Sequence, residues 1–258
     1  MAQSIFKTYT INEGEDALHL NLDSLHVWIK KQNQEFWISY LHTDDTYSAP
    51  QIDEQTEWER WAPKGDETEV RVRPVFPDLP VVVSSEYPLK LVPEANIHVY
   101  CRVSAWMEIS LVKSNYVLHE IPVTKLSRTW FGNTMEGELC YWLTSKARRS
   151  LEQVEGKPYL INCPIQITNK SHTDLNFERF CFRVERLGIY SVSENFWADE
   201  TKILYHGEEQ HSDVTMTGKL PKSLGKGELI SKARNPVSRS LATRTFKMLF
   251  DDTLISSR

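Results

Sequence analysis

Apolar and polar residues alternate with a period of two over much of this chain. In the clearest run, residues 97–111, every odd-numbered position is apolar or small, from Ile97 to Leu111. Successive side chains of a strand point to opposite faces of a sheet, so one face of this segment must be buried. Its 15 residues exceed the usual strand length of ~3–10 residues. We therefore expect a bend or bulge near Ser104, which would let one strand serve two sheets.

Shorter runs of the same kind continue along the chain. Residues 26–29 and 36–41 flank a polar stretch, a pattern typical of a β-hairpin. A second hairpin is predicted from residues 202–205 and 213–216. The chain is therefore expected to be all-β, with two sandwich-like antiparallel β domains. Other strands are predicted at 70–73, 116–123, 138–143, 159–167 and 180–187.

Proline spacing and charge divide the chain into regions. Five prolines between positions 74 and 93 interrupt the alternation, and proline is confined to the edges and ends of strands. We place a domain boundary where this stretch gives way to the long strand. The expected regions are an N-terminal β domain, 1–93, with a long acidic loop at 42–69, a C-terminal β-sandwich domain, 94–220, and a basic linker with a short helix, 221–258.

Helical signals are few. Leu241, Phe246, Leu249 and Phe250 recur at roughly helical spacing, so a short basic amphipathic helix is expected over 238–250. The alanine and arginine content of 144–153 is also compatible with one short helix.

Composition places the chain among folded proteins. Hydrophobic residues make up 40% and charged residues 25%, unlike the low hydrophobicity and high charge of disordered chains. The first residues lack a secretory signal pattern, and no apolar run approaches the ~20 residues that cross a bilayer. We therefore expect a cytoplasmic protein without a transmembrane segment. The four cysteines form no Cys-x-x-Cys pair and lie in alternating segments, which predicts buried free thiols.

Several motifs resemble an uncharacterised prokaryotic family that is known only as a domain of unknown function. They include Leu-Ser-Arg-Thr-Trp-Phe-Gly-Asn at 126–133 and Gly-Glu-Leu-Cys-Tyr at 137–141. Pro-Ile-Gln-Ile-Thr-Asn at 164–169 and Ile-Ser-Lys-Ala-Arg at 230–234 continue the similarity, which covers about residues 97–250. The resemblance implies a β-rich architecture and no assigned activity, so it transfers no catalytic residue.

The segment 129–133 is the most distinctive stretch, and two interpretations compete for it. In the structural one, Gly132-Asn133 supplies positive φ at a tight turn while Trp130 and Phe131 fill the core. In the functional one, an aromatic loop faces a ligand together with nearby charged residues. The candidate ligand-binding residues of that interpretation are Trp130, Arg128, Asn133, Glu138 and Arg148.

Aromatic residues suggest another binding surface. Eight tryptophans and ten tyrosines are many for this length, and sugar rings stack on such side chains. Trp58 and Trp61, in the acidic loop, are the expected surface pair. The competing interpretation is that both anchor this long loop to the sheet.

No motif for metal binding or catalysis stands out. Residues 206–211 place two histidines and two glutamates in one turn, but a hairpin tip would splay them into solvent, so no metal is predicted. A Gly-x-Ser-x-Gly elbow, a Cys–His signature and a phosphate-binding glycine-rich loop are lacking in the sequence. We therefore assign no catalytic residue and no cofactor.

The C-terminal region is basic. From Pro221 onward eight Lys or Arg stand against three acids, a charge of +5, which leaves −10 for the first 220 residues. This tail could bind an acidic partner or an anionic lipid surface, or dock on the protein's own acidic body. A pI near 5.9 argues against nucleic acid. The candidate partner-binding residues are Lys232, Arg234, Arg239, Arg244, Lys247 and Phe246.

The sequence thus favours a non-enzymatic interaction or regulatory module. The alternative is binding of a sugar or another small ligand by an aromatic-rich surface, and an enzyme of unidentified class ranks third. A partner-binding module would associate stably through a sheet edge or the tail, also with a second copy of itself. A ligand binder requires a concave pocket with aromatic and convergent polar residues.

Overall fold

The computed structural model describes residues 5–43, 52, 56–132, 134–135, 137–150, 157–207, 211–236, 241–243 and 246–247. These residues form strands, connecting turns and two 3₁₀ helices. The expectation of an all-β protein is confirmed. By its contacts the chain divides into two compact units, residues 1–75 with 105–125 and residues 76–104 with 126–258.

The first unit contains two four-stranded antiparallel sheets. One has the strand order β1-β6-β9-β10 and the other β2-β3-β4-β5. Val27, Ile29, Val72, Met107 and Ile109 are among its fully buried side chains. The strands of this unit are β1 (Thr8–Thr10), β2 (Leu18–Leu22), β3 (Leu25–Gln32), β4 (Glu35–His42), β5 (Glu59–Trp61), β6 (Glu69–Val75), β9 (Trp106–Leu111) and β10 (Val117–Pro122).

The second unit contains a five-stranded sheet, β11-β12-β7-β14-β21, and an eight-stranded sheet, β19-β15-β16-β13-β17-β18-β20, in which β8 also pairs with β13. The strands are β7 (Val81–Leu91), β8 (Asn96–Ser104), β11 (Arg128–Phe131), β12 (Glu138–Trp142), β13 (Leu160–Asn169), β14 (Leu175–Phe182), β15 (Ile189–Val192), β16 (Asn195–Ala198), β17 (Thr201–Tyr205), β18 (Ser212–Met216), β19 (Glu228–Ser231), β20 (Leu241–Thr243) and β21 (Phe246–Lys247). The 3₁₀ helices are Val184–Arg186 and Lys222–Leu224.

Strand direction in this second unit is mixed. β13 runs parallel to β16 and to β17, and β12 runs parallel to β7. The remaining described pairs within these two sheets are antiparallel. Ile161, Ile165, Phe180 and Phe182 are fully buried in this unit.

The long alternating segment behaves as its pattern indicates. All its odd positions from Ile97 to Leu111 are buried. The strand breaks at Ala105, directly after Ser104, into β8 and β9. β8 pairs with β13 in the second unit, whereas β9 pairs with β6 and β10 in the first. One alternating segment thus serves two sheets, as expected.

The two predicted hairpins are present. β3 and β4 pair in antiparallel register around Asn33 and Gln34, whose φ values are 54° and 61°. Positive φ at both central residues is the signature of a type I′ turn, whose twist matches that of the flanking strands. β17 and β18 form the second hairpin.

Both helix predictions are wrong for the described residues. In the basic tail, Leu241–Thr243 pairs with β18 and Phe246–Lys247 pairs with β14, so these residues are short strands. In the segment 144–150, Ala147 and Arg148 form isolated bridges to β7 and β8. Backbone hydrogen bonds to open strand edges outweigh a short helical pattern, because isolated helices of this length are marginal.

The domain boundaries expected from the sequence remain a prediction. The contact division changes unit after residues 75, 104 and 125, whereas the sequence suggested boundaries after residues 93 and 220. The acidic loop 42–69 includes β5, and residues 44–51 and 53–55 of it lie outside the described part.

Candidate functional site

The candidate site is built on the outer face of the eight-stranded sheet. In β8, Val99, Cys101 and Val103 point into the core, so Tyr100 and Arg102 lie on the opposite face. β13 places Asn162 directly opposite Arg102. The parallel neighbour β16 places Trp197 opposite Asn162. The register therefore lines up Arg102, Asn162 and Trp197 across three adjacent strands.

A connecting segment adds further basic residues to this face. Arg148 pairs with Tyr100 through two backbone hydrogen bonds, from Tyr100 N to Arg148 O at 2.7 Å and from Arg148 N to Tyr100 O at 2.8 Å. This pairing puts Arg148 on the same face as Tyr100 and Arg102. Lys146 precedes Arg148 by two residues and borders the same cavity.

These residues surround a cavity of about 280 Å³, which we call the basic pocket. Three of its side chains are cationic and three carry hydroxyl groups of serine or threonine. Among the described residues that line it there is no carboxylate. The lining residues are Tyr100, Arg102, Thr144, Ser145, Lys146, Arg148 and Ser150.

The two arginine side chains of the basic pocket each have a protein partner. Arg102 Nε donates to Asn162 Oδ1 at 3.1 Å, and Asn162 Nδ2 donates in turn to Phe196 O at 3.1 Å. Ser145 Oγ donates to Arg102 O at 2.6 Å and so holds the crossing segment against β8. Arg148 Nε lies 3.3 Å from Glu86 Oε1. The guanidinium groups are thus held in place by the protein.

Three cationic side chains line the basic pocket, and one of them, Arg148, is paired with Glu86. Burial lowers the pKa of Arg102, and the neighbouring charge of Arg148 lowers it further. Two like charges held close together oppose each other, and a bound anion removes that repulsion. Guanidinium groups also match the geometry of phosphate and carboxylate oxygens.

A second cavity of about 320 Å³ adjoins the first, since Tyr100 and Ser150 line both. We call it the aromatic pocket. It is lined by Tyr100, Arg149, Ser150, Trp197, Pro221, Ser223 and Leu224.

The structure separates the ligand-binding residues suggested by the sequence. Arg148 lines the basic pocket, whereas Arg128 and Trp130 lie on β11 and Glu138 lies on β12. Glu138 pairs with Arg183 and accepts a hydrogen bond from the Cys181 thiol at 3.5 Å. Asn133 lies outside the described residues. The binding role proposed for this set stays a prediction.

The core position suggested for Trp130 is wrong. Its side chain is 54% exposed, whereas Phe131 is 6% exposed. Trp130 lies opposite Leu139, which is 42% exposed, and Phe131 lies opposite Glu138 on the other face. The turn that follows uses Gly132 with φ of 109°, as the sequence indicates. Strand alternation forces one of two adjacent aromatics outward.

Arg128 belongs to a different polar group. It hydrogen-bonds to the side chain of Tyr141, its partner across β11 and β12. The Tyr141 hydroxyl donates to Asp78 Oδ1 at 3.0 Å. Burial and this hydrogen bond to Asp78 raise the pKa of Tyr141. Arg128 therefore supports a buried tyrosine.

The basic tail is described in part. Lys232 is exposed, and Arg234 Nε donates to Phe76 O at 2.6 Å within the second unit. Phe246 and Lys247 form β21, and Arg239 and Arg244 lie outside the described residues. The bond of Arg234 fits docking of the tail on its own unit. Partner binding by these residues remains a prediction.

The tryptophans of the acidic loop pack against other rings of the first unit. The ring centres of Trp58 and Trp37 are 6.3 Å apart, and Lys30 Nζ lies 4.3 Å from the Trp58 ring centre. The ring centres of Trp61 and Tyr116 are 6.4 Å apart. These contacts support the anchoring interpretation. Sugar binding by this pair stays untested, although a cavity of about 580 Å³ borders Trp58.

The turn at 206–211 contains a histidine that pairs with an aspartate. His206 Nε2 lies 2.9 Å from Asp213 Oδ2, and residues 208–210 lie outside the described part. In the part of the chain that the structure describes, no three His, Cys, Asp or Glu side chains form a group that could hold a metal ion.

Two local features of the sequence mark the basic pocket. Tyr100 and Arg102 occupy even, polar-face positions of the most regular strand, and Arg148-Arg149 is a basic pair next to it in space. Trp197 carries no local signal, because its position relative to Asn162 depends on strand pairing.

The fold and this site define an all-β protein of two units with a basic pocket on the outer face of its largest sheet. The family model described as "Protein of unknown function (DUF432)" matches residues 5–250, so the chain belongs to this family. Comparison with curated proteins and with solved structures finds no match. No helix among the described residues is long and apolar enough to span a membrane.

Proposed function

We propose that this protein is a non-enzymatic binding module that takes the anionic group of a small molecule into the basic pocket. The observation that carries this proposal is the convergence of Arg102, Lys146 and Arg148 on one cavity of about 280 Å³. Clefts with a few precisely placed polar groups are the usual form of small-ligand sites.

Several features of the pocket support anion binding. Serine and threonine hydroxyls next to the cations can donate hydrogen bonds to phosphate or carboxylate oxygens. Arg102 and Arg148 are oriented by Asn162 and Glu86, so little side-chain freedom is lost on binding. The described lining offers hydrogen-bond donors and positive charge.

The direct test measures the melting temperature of the full chain in sodium phosphate and in sodium chloride at matched ionic strength. Phosphate should raise the melting temperature of the wild type, because a ligand that binds only the native state stabilises it. Arg148→Gln and Lys146→Gln should each abolish most of this increase. Lys146 is exposed, so its replacement should leave folding intact.

Arg71→Gln is the matched control, since it removes one arginine charge from the other unit. It should retain the full phosphate effect. An equal phosphate effect in wild type, Lys146→Gln and Arg148→Gln would show that the basic pocket is not the binding site.

A further inference from the structure

We infer that the ligand is a nucleoside phosphate, with its phosphate in the basic pocket and its base in the aromatic pocket. This inference rests on the proposed anion binding and names the class of ligand. It is carried by two cavities that share Tyr100 and Ser150, one lined by three cationic side chains and the other by Trp197 and Arg149.

The two pockets form one extended site. Tyr100 and Ser150 line both cavities, whose volumes are about 280 and 320 Å³. Small-ligand sites in proteins typically measure ~300–1,000 Å³. A ligand that filled the basic pocket alone would leave the adjoining aromatic pocket to water.

The lining of the aromatic pocket suits a planar ring. Trp197 is partly buried on β16, and Pro221 and Leu224 add apolar surface next to it. Tyr100 stands where the two pockets meet. Aromatic side chains bind nucleobases by stacking, which tolerates any base because every base has a π-face.

Polar groups line both cavities. Ser150 is shared by both pockets, and Ser223 and Arg149 line the aromatic one. Hydroxyl and guanidinium groups donate hydrogen bonds to ribose hydroxyls and to phosphate oxygens. Across the two cavities the lining thus offers partners for a phosphate, a ribose and a base.

Competing ligand classes would use this site differently. A sugar phosphate would occupy the basic pocket and gain little from Trp197. An uncharged aromatic compound would occupy the aromatic pocket and gain little from Arg148. A free mononucleotide engages both, which makes the two ends separable by experiment.

The test is titration calorimetry of the full chain with adenosine monophosphate, ribose 5-phosphate, adenosine and inorganic phosphate. The affinity for adenosine monophosphate should exceed that for ribose 5-phosphate by about ten-fold or more, since the base adds a stacking contact. Trp197→Ala should remove this preference and leave the affinity for inorganic phosphate unchanged. Trp197→Phe, which keeps a ring, should retain most of it.

Tyr87→Ala is the matched control, because it removes an exposed aromatic ring from the same unit at a residue that lines neither pocket. It should leave the affinity for all four probes unchanged. Unchanged phosphate affinity also shows that the Trp197 variants are folded.

The outcomes separate this inference from the proposed function. If inorganic phosphate binds through Arg148 but adenosine monophosphate binds no more tightly than ribose 5-phosphate, the nucleotide assignment is overturned and anion binding stands. If neither phosphate nor any nucleotide binds, both fail. If a short single-stranded oligonucleotide binds more tightly than the mononucleotide, the site serves polymers and the assignment to a free nucleotide is overturned.

Discussion

Trp130 and Phe131 are neighbours on β11 and face opposite sides of the sheet. Phe131 is 6% exposed and packs in a cluster with Val82, Cys140 and Cys181, whereas Trp130 is 54% exposed. The two adjacent aromatics therefore contribute unequally to folding, and the smaller of the two rings contributes more.

Truncation of the two residues should separate these roles. Phe131→Ala should lower the free energy of unfolding by ~3–5 kcal/mol, the usual cost of removing a buried aromatic ring. Trp130→Ala should lower it by less than ~1 kcal/mol, since exposed positions contribute little. Urea denaturation followed by circular dichroism measures both. A Trp130 variant as unstable as the Phe131 variant would show that this tryptophan is buried in solution.

Three histidines of the first unit should make it sensitive to acid. Burial lowers the pKa of His19, His26 and His42 in the folded protein. His19 Nε2 and His26 Nδ1 lie 3.0 Å apart, and the charge of His19 further lowers the pKa of His26. As the pH falls, these histidines therefore take up protons in the unfolded chain at a higher pH than in the folded protein, and this favours unfolding. Stability should decline from about pH 6.5, the unperturbed pKa, down through the folded pKa values.

Thermal melting between pH 8 and pH 5 measures this decline. Replacing His19 by Gln removes one member of the pair and should make the decline shallower. His172→Gln, an exposed histidine of the other unit, is the control and should follow the wild type. A wild-type melting temperature that is constant from pH 7 to pH 5 would contradict the prediction.

The four cysteines should react only when the protein unfolds. All four thiols are free and buried. Burial raises the pKa of Cys163, and the hydrogen bond with Cys140 together with burial raises that of Cys181. Because the thiolate is the reactive form, a thiol reagent such as DTNB should label no cysteine in native buffer and four in denaturant. Rapid labelling of even one thiol in native buffer would disprove this.

A side chain at Gly227 would require neighbouring atoms to shift. A Cβ atom there would lie 2.6 Å from Leu220 Cδ1, 2.8 Å from Val192 Cγ2 and 3.0 Å from Ser191 O. Gly227→Ala should therefore destabilise the protein by ~1–3 kcal/mol, the usual cost of overpacking. In Gly188→Ala the nearest atom would lie 3.3 Å away, so a smaller loss is expected. Chemical denaturation of both variants tests the order, and equal stabilities would contradict it.

Strand prediction succeeded where the pattern was local. The alternation from 97 to 111 predicted which face is buried, because only one face carries the apolar positions. The unusual length of the same segment predicted its break near Ser104. The hairpin of β3 and β4 was predicted from two flanking apolar runs, whereas its type I′ turn at Asn33 and Gln34 is seen only in the structure. Helix predictions failed in the described residues 144–150, 241–243 and 246–247, since pairing with distant strand edges competes with weak local propensity.

Of the candidate site, sequence analysis found a part. Arg148 was selected, but its expected neighbours Arg128, Trp130 and Glu138 are held elsewhere by β11 and β12. Arg102 and Trp197 were missed, because an arginine on a polar strand face and a single tryptophan are ordinary surface residues until strand pairing brings them together.

By itself the sequence determined that this protein is all-β, that its cysteines are buried and that one long strand serves two sheets. These properties depend on which side chains avoid water, and this is decided residue by residue along the chain. Tertiary structure decided which of two adjacent aromatics is exposed, how the basic tail pairs, and that Arg102, Arg148 and Trp197 lie along one site. Those relations depend on strand register between segments up to about a hundred residues apart, which local patterns do not encode.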